Sequence, residues 1–309
     1  MEGTASIRCG DDLRGRVPGA YFCLADPVCQ GPVEGKFLSE YVSRRAVFVA
    51  GHYGHGVAAV RARLAAEYAA LRELAGHERI LLWFEHDLWD QAVLIRLLSL
   101  LADMPVLAGR LHLMPADGLR TFPELPQGEL EALVPEPLPW SGVEAGAEVW
   151  RAFSAPDPTA LDRLSRRALP FPHLARAMRR HLQDLPWVTD GLGLTERRLM
   201  EGVAGGAGDE SALFRHLRAS DPVFHVTDLI VQDLLKRLST GTRRLVSRDA
   251  PHGLTPRGAA ILAGEERYVP GPRFQAGVVV GPGGGWWWNP RAAGVTDVPP
   301  GRGRAGLFG

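Results

Sequence analysis

Between Ser6 and Met114, short apolar runs alternate with stretches of helical periodicity, and most of the runs end in an acidic turn. Few folds accept that pattern. Parallel strands need long crossovers, helices supply them, and the sheet is then buried between layers. Four runs read as strands: Ser6–Cys9, Ala20–Leu24, Ile80–Phe84 and Arg110–Met114. Between them, 37–50, 57–74 and 88–101 read as helices. In the second, Val57, Val60, Leu64, Tyr68, Leu71 and Leu74 recur at steps of three or four. We therefore expect an α/β fold over residues 1–117: a Rossmann-like parallel sheet with helices on both faces.

Beyond residue 117 the pattern changes. Residues 118–190 read as a Pro-rich connection with linking helices, and Pro170 and Pro172 break the helical stretch Ala160–Leu185 in two. Residues 191–290 contain three short helical segments, Thr195–Val203, Ser211–Ala219 and Thr227–Leu238. A hairpin is expected where Arg244–Ser247 pairs with Gly253-Leu254. Thr255-Pro256 then starts another helix, with Thr as N-cap and Pro in the first turn. This predicts a mainly helical, winged-helix-like second domain that closes with a hairpin over residues 274–289 through Gly281–Gly285. The Gly-, Pro- and Arg-rich tail, 291–309, is expected to be disordered.

Charge narrows the partners. Lys plus Arg and Asp plus Glu both number 35, so bulk charge favours neither nucleic acid nor an anionic membrane. Over Asp190–Tyr268 the two signs also balance, and the third helical segment opens with Thr227-Asp228, where a DNA-reading helix would meet phosphate. Arg243, Arg244 and Arg248 near the expected wing keep a nucleic-acid role for the C-terminal domain as an alternative. No apolar run approaches the roughly 20 residues of a membrane span. Three cysteines in a chain of 309 residues read as reduced thiols, hence a cytoplasmic setting.

The densest chemistry is WFEHDLWDQ, Trp83–Gln91. Asp87 suits the N-cap of the helix that follows, with Asp90 at its third position. Capping does not account for Glu85 and His86, which fall at the carboxyl edge of a buried strand, where open α/β sheets bind ligands. The other strands end at Asp11 and Asp12, at Asp26 and at Asp117. If these turns share one edge, their carboxylates face one crevice. Crowded carboxylates push one another's pKa values apart, preparing one as acid and another as base, and they suit oxygen-loving Mg²⁺ or Mn²⁺. Glu85 is the candidate for proton transfer and His86 its neighbouring shuttle. Asp12, Arg45 and Gln91 are candidate ligand contacts, although a solvated helix face also accounts for Arg44 and Arg45. His52 and His55 within GHYGHG read as a flexible loop. With no GxGxxG after the first strand and no Walker A sequence, NAD and P-loop nucleotides are not indicated.

These motifs resemble a bacterial family known only as domain of unknown function 1835. The resemblance is carried by Gly10-Asp11, Asp26 with Gly31-Pro32-Val33, and Leu82–Leu88, with Arg45 and Phe48 between them. Further matches are Gly193–Arg197, Leu254-Thr255 with Gly258, Leu262-Ala263-Gly264, and Gly277 before a Trp-rich end. Cys29-Gln30 stands where that family commonly has His-Glu. The resemblance implies no known activity; it groups Asp11, Asp26, Glu85 and Asp87 as one set. The expectation is an enzyme, hydrolase or transferase, binding a small polar molecule in an acidic cleft. The alternative is a ligand-sensing regulator whose C-terminal domain contacts DNA or a protein.

Overall fold

The structure, a computed structural model, describes residues 3–299. Strands β1 (Thr4–Arg8) and β2 (Ala20–Cys23) pair in parallel, while the two-residue β3 (Gly31–Pro32) stands apart from their sheet. Strands β4 (Arg79–Trp83) and β5 (Leu111–Leu113) extend the parallel sheet, and β6 (Glu136–Pro137) closes it antiparallel, in the order β2-β1-β4-β5-β6. The fold is thus mixed α/β around a mostly parallel five-stranded sheet.

Helices α1 (Leu38–Tyr53), α2 (Val57–Ala70) and α3 (Leu88–Leu101) pack on one face, over Ala5, Ile7, Ile80 and Leu82. On α1 the buried residues Tyr41, Val42, Arg45, Ala46, Val49 and Ala50 form one stripe of helical period. The other face carries Leu81 and Trp83. It is covered by Leu13, Phe122 and Leu130, from the β1–β2 loop, a 3₁₀ turn and the short helix α4 (Gln127–Ala132). Cover by helices is therefore unequal between the faces. Right-handed crossovers account for this. The step from β1 to β2 runs one way across the sheet, so its connection lies on one face. The steps from β2 to β4 and from β4 to β5 run the other way, which puts α1–α3 together.

The stretch expected to be connection is largely core. Helix α5 (Trp140–Phe153) packs against α3, and Val143, Val149 and Phe153 are buried in the same cluster as Ile80. A Cβ on Gly146 would lie 2.4 Å from Leu98 Cδ1, so glycine permits the close helix approach. Helices α6 (Thr159–Leu164) and α7 (Leu174–Leu182) complete this layer on either side of the predicted proline break. The expected GHYGHG loop is also shorter. Helix α1 runs through His52 to Tyr53 and stops at Gly54, whose φ of 72° gives a left-handed cap.

Helices α8 (Leu194–Ala204), α9 (Glu210–Ser220) and α10 (Asp228–Ser239) surround a separate core that includes Leu199, Leu213, Val231 and Leu235. The expected wing is reduced to one antiparallel bridge, Val246 with Leu254, before α11 (Pro256–Leu262). Two hairpins replace the single terminal one. Strands β7 (Arg273–Ala276) and β8 (Val278–Val280) form the first, β9 (Trp287–Asn289) and β10 (Gly294–Thr296) the second, with Gly281–Gly285 between them. The start of the expected disordered tail is therefore structured through β10, and its end lies outside the described residues. β7 pairs in parallel with β3, so the segment after α11 is stitched to the loop after β2.

Candidate functional site

Strand register builds the first half of the site. Arg8 lies opposite Trp83 at the carboxyl ends of β1 and β4, on the face away from α1–α3. Its guanidinium is buried. Nε donates to Asp12 Oδ1 (3.1 Å), Nη2 to Asp12 Oδ2 (2.9 Å) and Glu85 Oε1 (2.8 Å), and Nη1 to the Trp83 carbonyl (3.2 Å) and to Asp90. All five N–H donors of the arginine are thus used. Glu85 Oε1 also accepts from the Phe122 N–H (2.7 Å). Asp90 accepts from the Glu85 N–H (2.6 Å) and from the Cys9 thiol (2.7 Å). Asp87 caps α3 as expected, accepting the Asp90 N–H at 3.0 Å. Gln91 Nε2 holds the Glu85 carbonyl, while its Oε1 is buried without a partner.

The cluster is short of positive charge. Burial, then repulsion from Asp90, pushes Glu85 up to about 8 against the pull of Arg8. The same two causes push Asp87 up to about 7. Oxygens of Glu85, Asp87 and Asp90 lie within 4.8 Å of one another, a grouping that could hold a cation. The Arg8 guanidinium already binds two of these three carboxylates, so a divalent ion would have to compete with a charge in place. Burial lowers the pKa of His86, whose Nε2 lies 3.0 Å from the Pro222 carbonyl and whose Nδ1 is buried without a partner among the described residues.

The remaining acids do not join this cluster. Asp26 is fully buried against Arg45, whose Nη2 lies 2.7 Å from Oδ1, and it accepts from Tyr41 (2.7 Å) and Tyr68 (2.8 Å). Arg45 is not on a solvated helix face. It is wholly buried, and it also donates to the carbonyls of Pro27, Gln30 and Pro32. Burial alone would raise Asp26; Arg45 and the two tyrosines outweigh it and hold the carboxyl below its ordinary value. Asp11 is exposed and pairs with Arg14 (2.6 Å). Asp117 is exposed too and caps its own loop, accepting from the Leu119 and Arg120 N–H groups. The recurring strand-end acids therefore take separate roles: Asp12, Glu85, Asp87 and Asp90 meet around Arg8, Asp26 braces α1, and Asp11 and Asp117 stay at the surface.

The second half of the site is a cavity of about 410 Å³ between the two cores. Its walls come from the turn after β2, the first turn of α3, the ends of α1 and α7, helices α8 and α10, and β7. Leu88 and Trp89 line it directly beside Asp87. Cys29 lines it as well. Burial raises that thiol to about 12, and the Asp87 charge is the next largest influence. The cavity thus adjoins the acidic cluster at the carboxyl edge of β2 and β4.

Of its polar residues, the sequence drew attention to Cys29, Gln30 and His52, though not as parts of a cavity, and not to His181 or Asp184. Asp184 accepts from the Thr195 N–H (2.8 Å) and hydroxyl (2.7 Å) and faces Arg180 at 2.9 Å. Glu196 accepts from the Gly193 N–H (2.9 Å) and from Arg237 (3.0 Å). Burial lowers His181 to about 4, so its ring is neutral at pH 7. The one available signal was Gly193-Leu194-Thr195-Glu196, which reads as a helix start and also places two cavity residues. No family model, curated protein or solved structure matches this chain.

Proposed function

We propose that this chain is an enzyme acting on a small polar molecule held in the cavity between its two cores, by carboxylate acid/base chemistry. The observation that carries this reading is the position of the cavity. It lies at the carboxyl edge of the sheet, it has the volume of a small-molecule site, and its wall adjoins a carboxylate cluster poised to hold or release a proton near neutral pH. Within that cluster Asp87 is closest in sequence to the lining and Glu85 stands behind it. Asp12 and Gln91 serve as positioning residues, through Arg8 and through the Glu85 carbonyl. His86, beside the cluster, is the shuttle. The reaction class is hydrolysis or group transfer. A Rossmann-like relationship of the sheet, and the resemblance to domain of unknown function 1835, belong to the same proposal.

The test is a thermal-shift screen of metabolites and of Mg²⁺ and Mn²⁺ on the wild type, beside Asp87→Asn and Glu196→Gln. A metabolite should raise the melting temperature of the wild type. Glu196→Gln should alter its affinity, and Asp87→Asn should keep binding while losing turnover. If Asp87→Asn turns over the bound molecule at the wild-type rate, the acid/base role is wrong.

A regulator is the second reading. It is favoured by the walls of the cavity, which come from both cores, so a ligand would couple them. Three helices, a bridged strand pair and exposed Arg243, Arg244 and Arg248 support a winged-helix-like, DNA-contacting second unit. Under that reading DNA affinity falls with salt at a log–log slope of about −0.9 per neutralised phosphate. Absence of DNA binding at low salt rejects it.

A further inference from the structure

We infer that the cavity takes a planar ring bearing one anionic group, and that Arg273 receives the anion. The inference rests on reading the cavity as the ligand site and names the class of molecule it selects.

The walls supply the preference for a ring. Phe48, Trp89, Phe224 and Phe274 all line the space, drawn from α1, α3, the α9–α10 loop and β7. Flat side chains on several walls suit a flat guest, since ring-on-ring contacts add to plain apolar burial.

The charges supply the preference for an anion. Each carboxylate in the lining is already matched. Asp184 has Arg180 and Thr195, Glu196 has Arg237 and the Gly193 N–H, and Asp233 shares Arg237 with Glu196, at 2.9 Å. A cationic guest would find no free acid. Arg273 is held far more loosely. Its Nη2 donates to the Asp184 carbonyl at 3.2 Å, its Nη1 is 3.6 Å from Glu196, and that Nη1 is buried with no hydrogen-bond acceptor among the described residues. A buried donor without an acceptor is costly, and a ligand carboxylate or phosphate oxygen would satisfy it.

Two other lining groups have a buried nitrogen without a hydrogen-bond partner among the described residues: Arg237 Nε, which lies beside Asp233, and His181. His181 is 2% exposed, and Nδ1 is its unpartnered atom. Strand β7 brings His181 and Arg273 together. Residues 273 and 275 share one strand face, and while Arg273 reaches the Asp184 carbonyl, Gln275 donates to the His181 carbonyl at 3.0 Å. An anion at Arg273 would therefore lie against the last turn of α7, with the neutral imidazole as a further contact.

Titration calorimetry on the full chain tests this with benzoate and indole-3-acetate as ring carboxylates, adenosine and guanosine monophosphates as ring phosphates, benzamide and adenosine as neutral rings, and acetate and inorganic phosphate as ringless anions. A ring acid should bind at least about tenfold more tightly than its neutral and its ringless counterparts, and Arg273→Gln and Trp89→Leu should each weaken it by about that factor. Preference between carboxylate and phosphate identifies the anion, and either supports the inference. It is overturned if benzamide or adenosine binds as tightly as the matching acid, if acetate or phosphate does, or if Arg273→Gln binds like the wild type. Should Arg273→Gln fail to fold, the matched acids and neutral rings on the wild type decide alone. Binding of an amine that Glu196→Gln abolishes would overturn the ring-acid class and leave the cavity reading standing. Silence across ring acids, neutral rings, anions and amines would overturn both.

Discussion

Arg8 Nη2 meets Glu85 Oε1 at 2.8 Å with both side chains no more than 5% exposed. The pair joins the first strand to the carboxyl end of the third parallel strand, β4. Removing the cation would strand Glu85, Asp87 and Asp90 together. Arg8→Met should therefore cost about 3–5 kcal/mol of stability at pH 7. Glu85→Gln keeps an oxygen for Arg8 and for the Phe122 N–H, and should cost about 1–2 kcal/mol. Urea unfolding measures both, and equal costs would contradict a network centred on Arg8.

The same cluster sets a pH dependence. Glu85 and Asp87 are raised in the folded chain, to about 8 and about 7. Between the ordinary carboxylate range and these values the native state holds protons that the unfolded state has released. Their contribution is complete in acid and is lost as pH rises through about 7 to 8. Asp87→Asn, which keeps the cap, combined with Glu85→Gln should flatten the decline of stability between about pH 5 and pH 8. An unchanged slope would mean that both groups are ionised throughout.

His181 and Asp26 act in the opposite sense. His181 is lowered to about 4 and Asp26 lies below its ordinary value. Stability from His181 is present above its unfolded pKa, near 6.5, and is lost as pH falls from there toward about 4. Asp26 loses its share at lower pH still. His181→Phe should shift the acid unfolding midpoint to lower pH; a midpoint that rises or stays fixed would show the ring charged in the native state.

Asp26 and Arg45 form a buried pair that two tyrosines complete. Asp26→Asn should cost about 3–5 kcal/mol, because it leaves a buried guanidinium without its counter-charge. Tyr41→Phe and Tyr68→Phe should each cost about 1 kcal/mol, and their double variant should depart from additivity, since both bond the same Asp26 oxygen. Strict additivity would count against a shared network.

Gly193 tests the cavity wall. A Cβ there would lie 2.6 Å from the Asp184 carbonyl oxygen, a backbone atom with little room to move. Gly193→Ala should destabilise by about 1–3 kcal/mol and weaken any cavity ligand, whereas Gly128→Ala, at a helical position with open space around it, should leave ligand affinity unchanged. Equal effects on affinity would argue that Gly193 does not shape the cavity.

The sheet was legible because its information is local. Ile80–Leu82 is an apolar run, Asp87 and Asp90 mark a helix start, and Val60, Leu64 and Tyr68 keep helical spacing; each feature sits within a few residues. Helix α5 was missed although Val143, Gly146, Trp150 and Phe153 fall at steps of three and four, because flanking prolines and glutamates resemble linker. The fate of the acids was less legible. Nothing near Asp26 shows that Arg45 will reach it from α1, and Asp90, read as a cap neighbour, proves to bridge Arg8, Cys9 and Glu85. A crevice at the carboxyl edge was expected, but its lining could not be read, since Cys29, Trp89, His181, Glu196 and Arg273 meet only through tertiary packing.

The pairing of Gly31-Pro32 with Gln275-Ala276 orders events on the ribosome. The loop after the second strand emerges early, but the segment that zips onto it is made only after helices α1 to α11. Until then one side of the hollow stays unbuilt, with Arg273 still to arrive. A nascent chain, or one clipped before β7, could assemble its central sheet yet have no finished pocket, so competence to bind would appear only once β7 has been made.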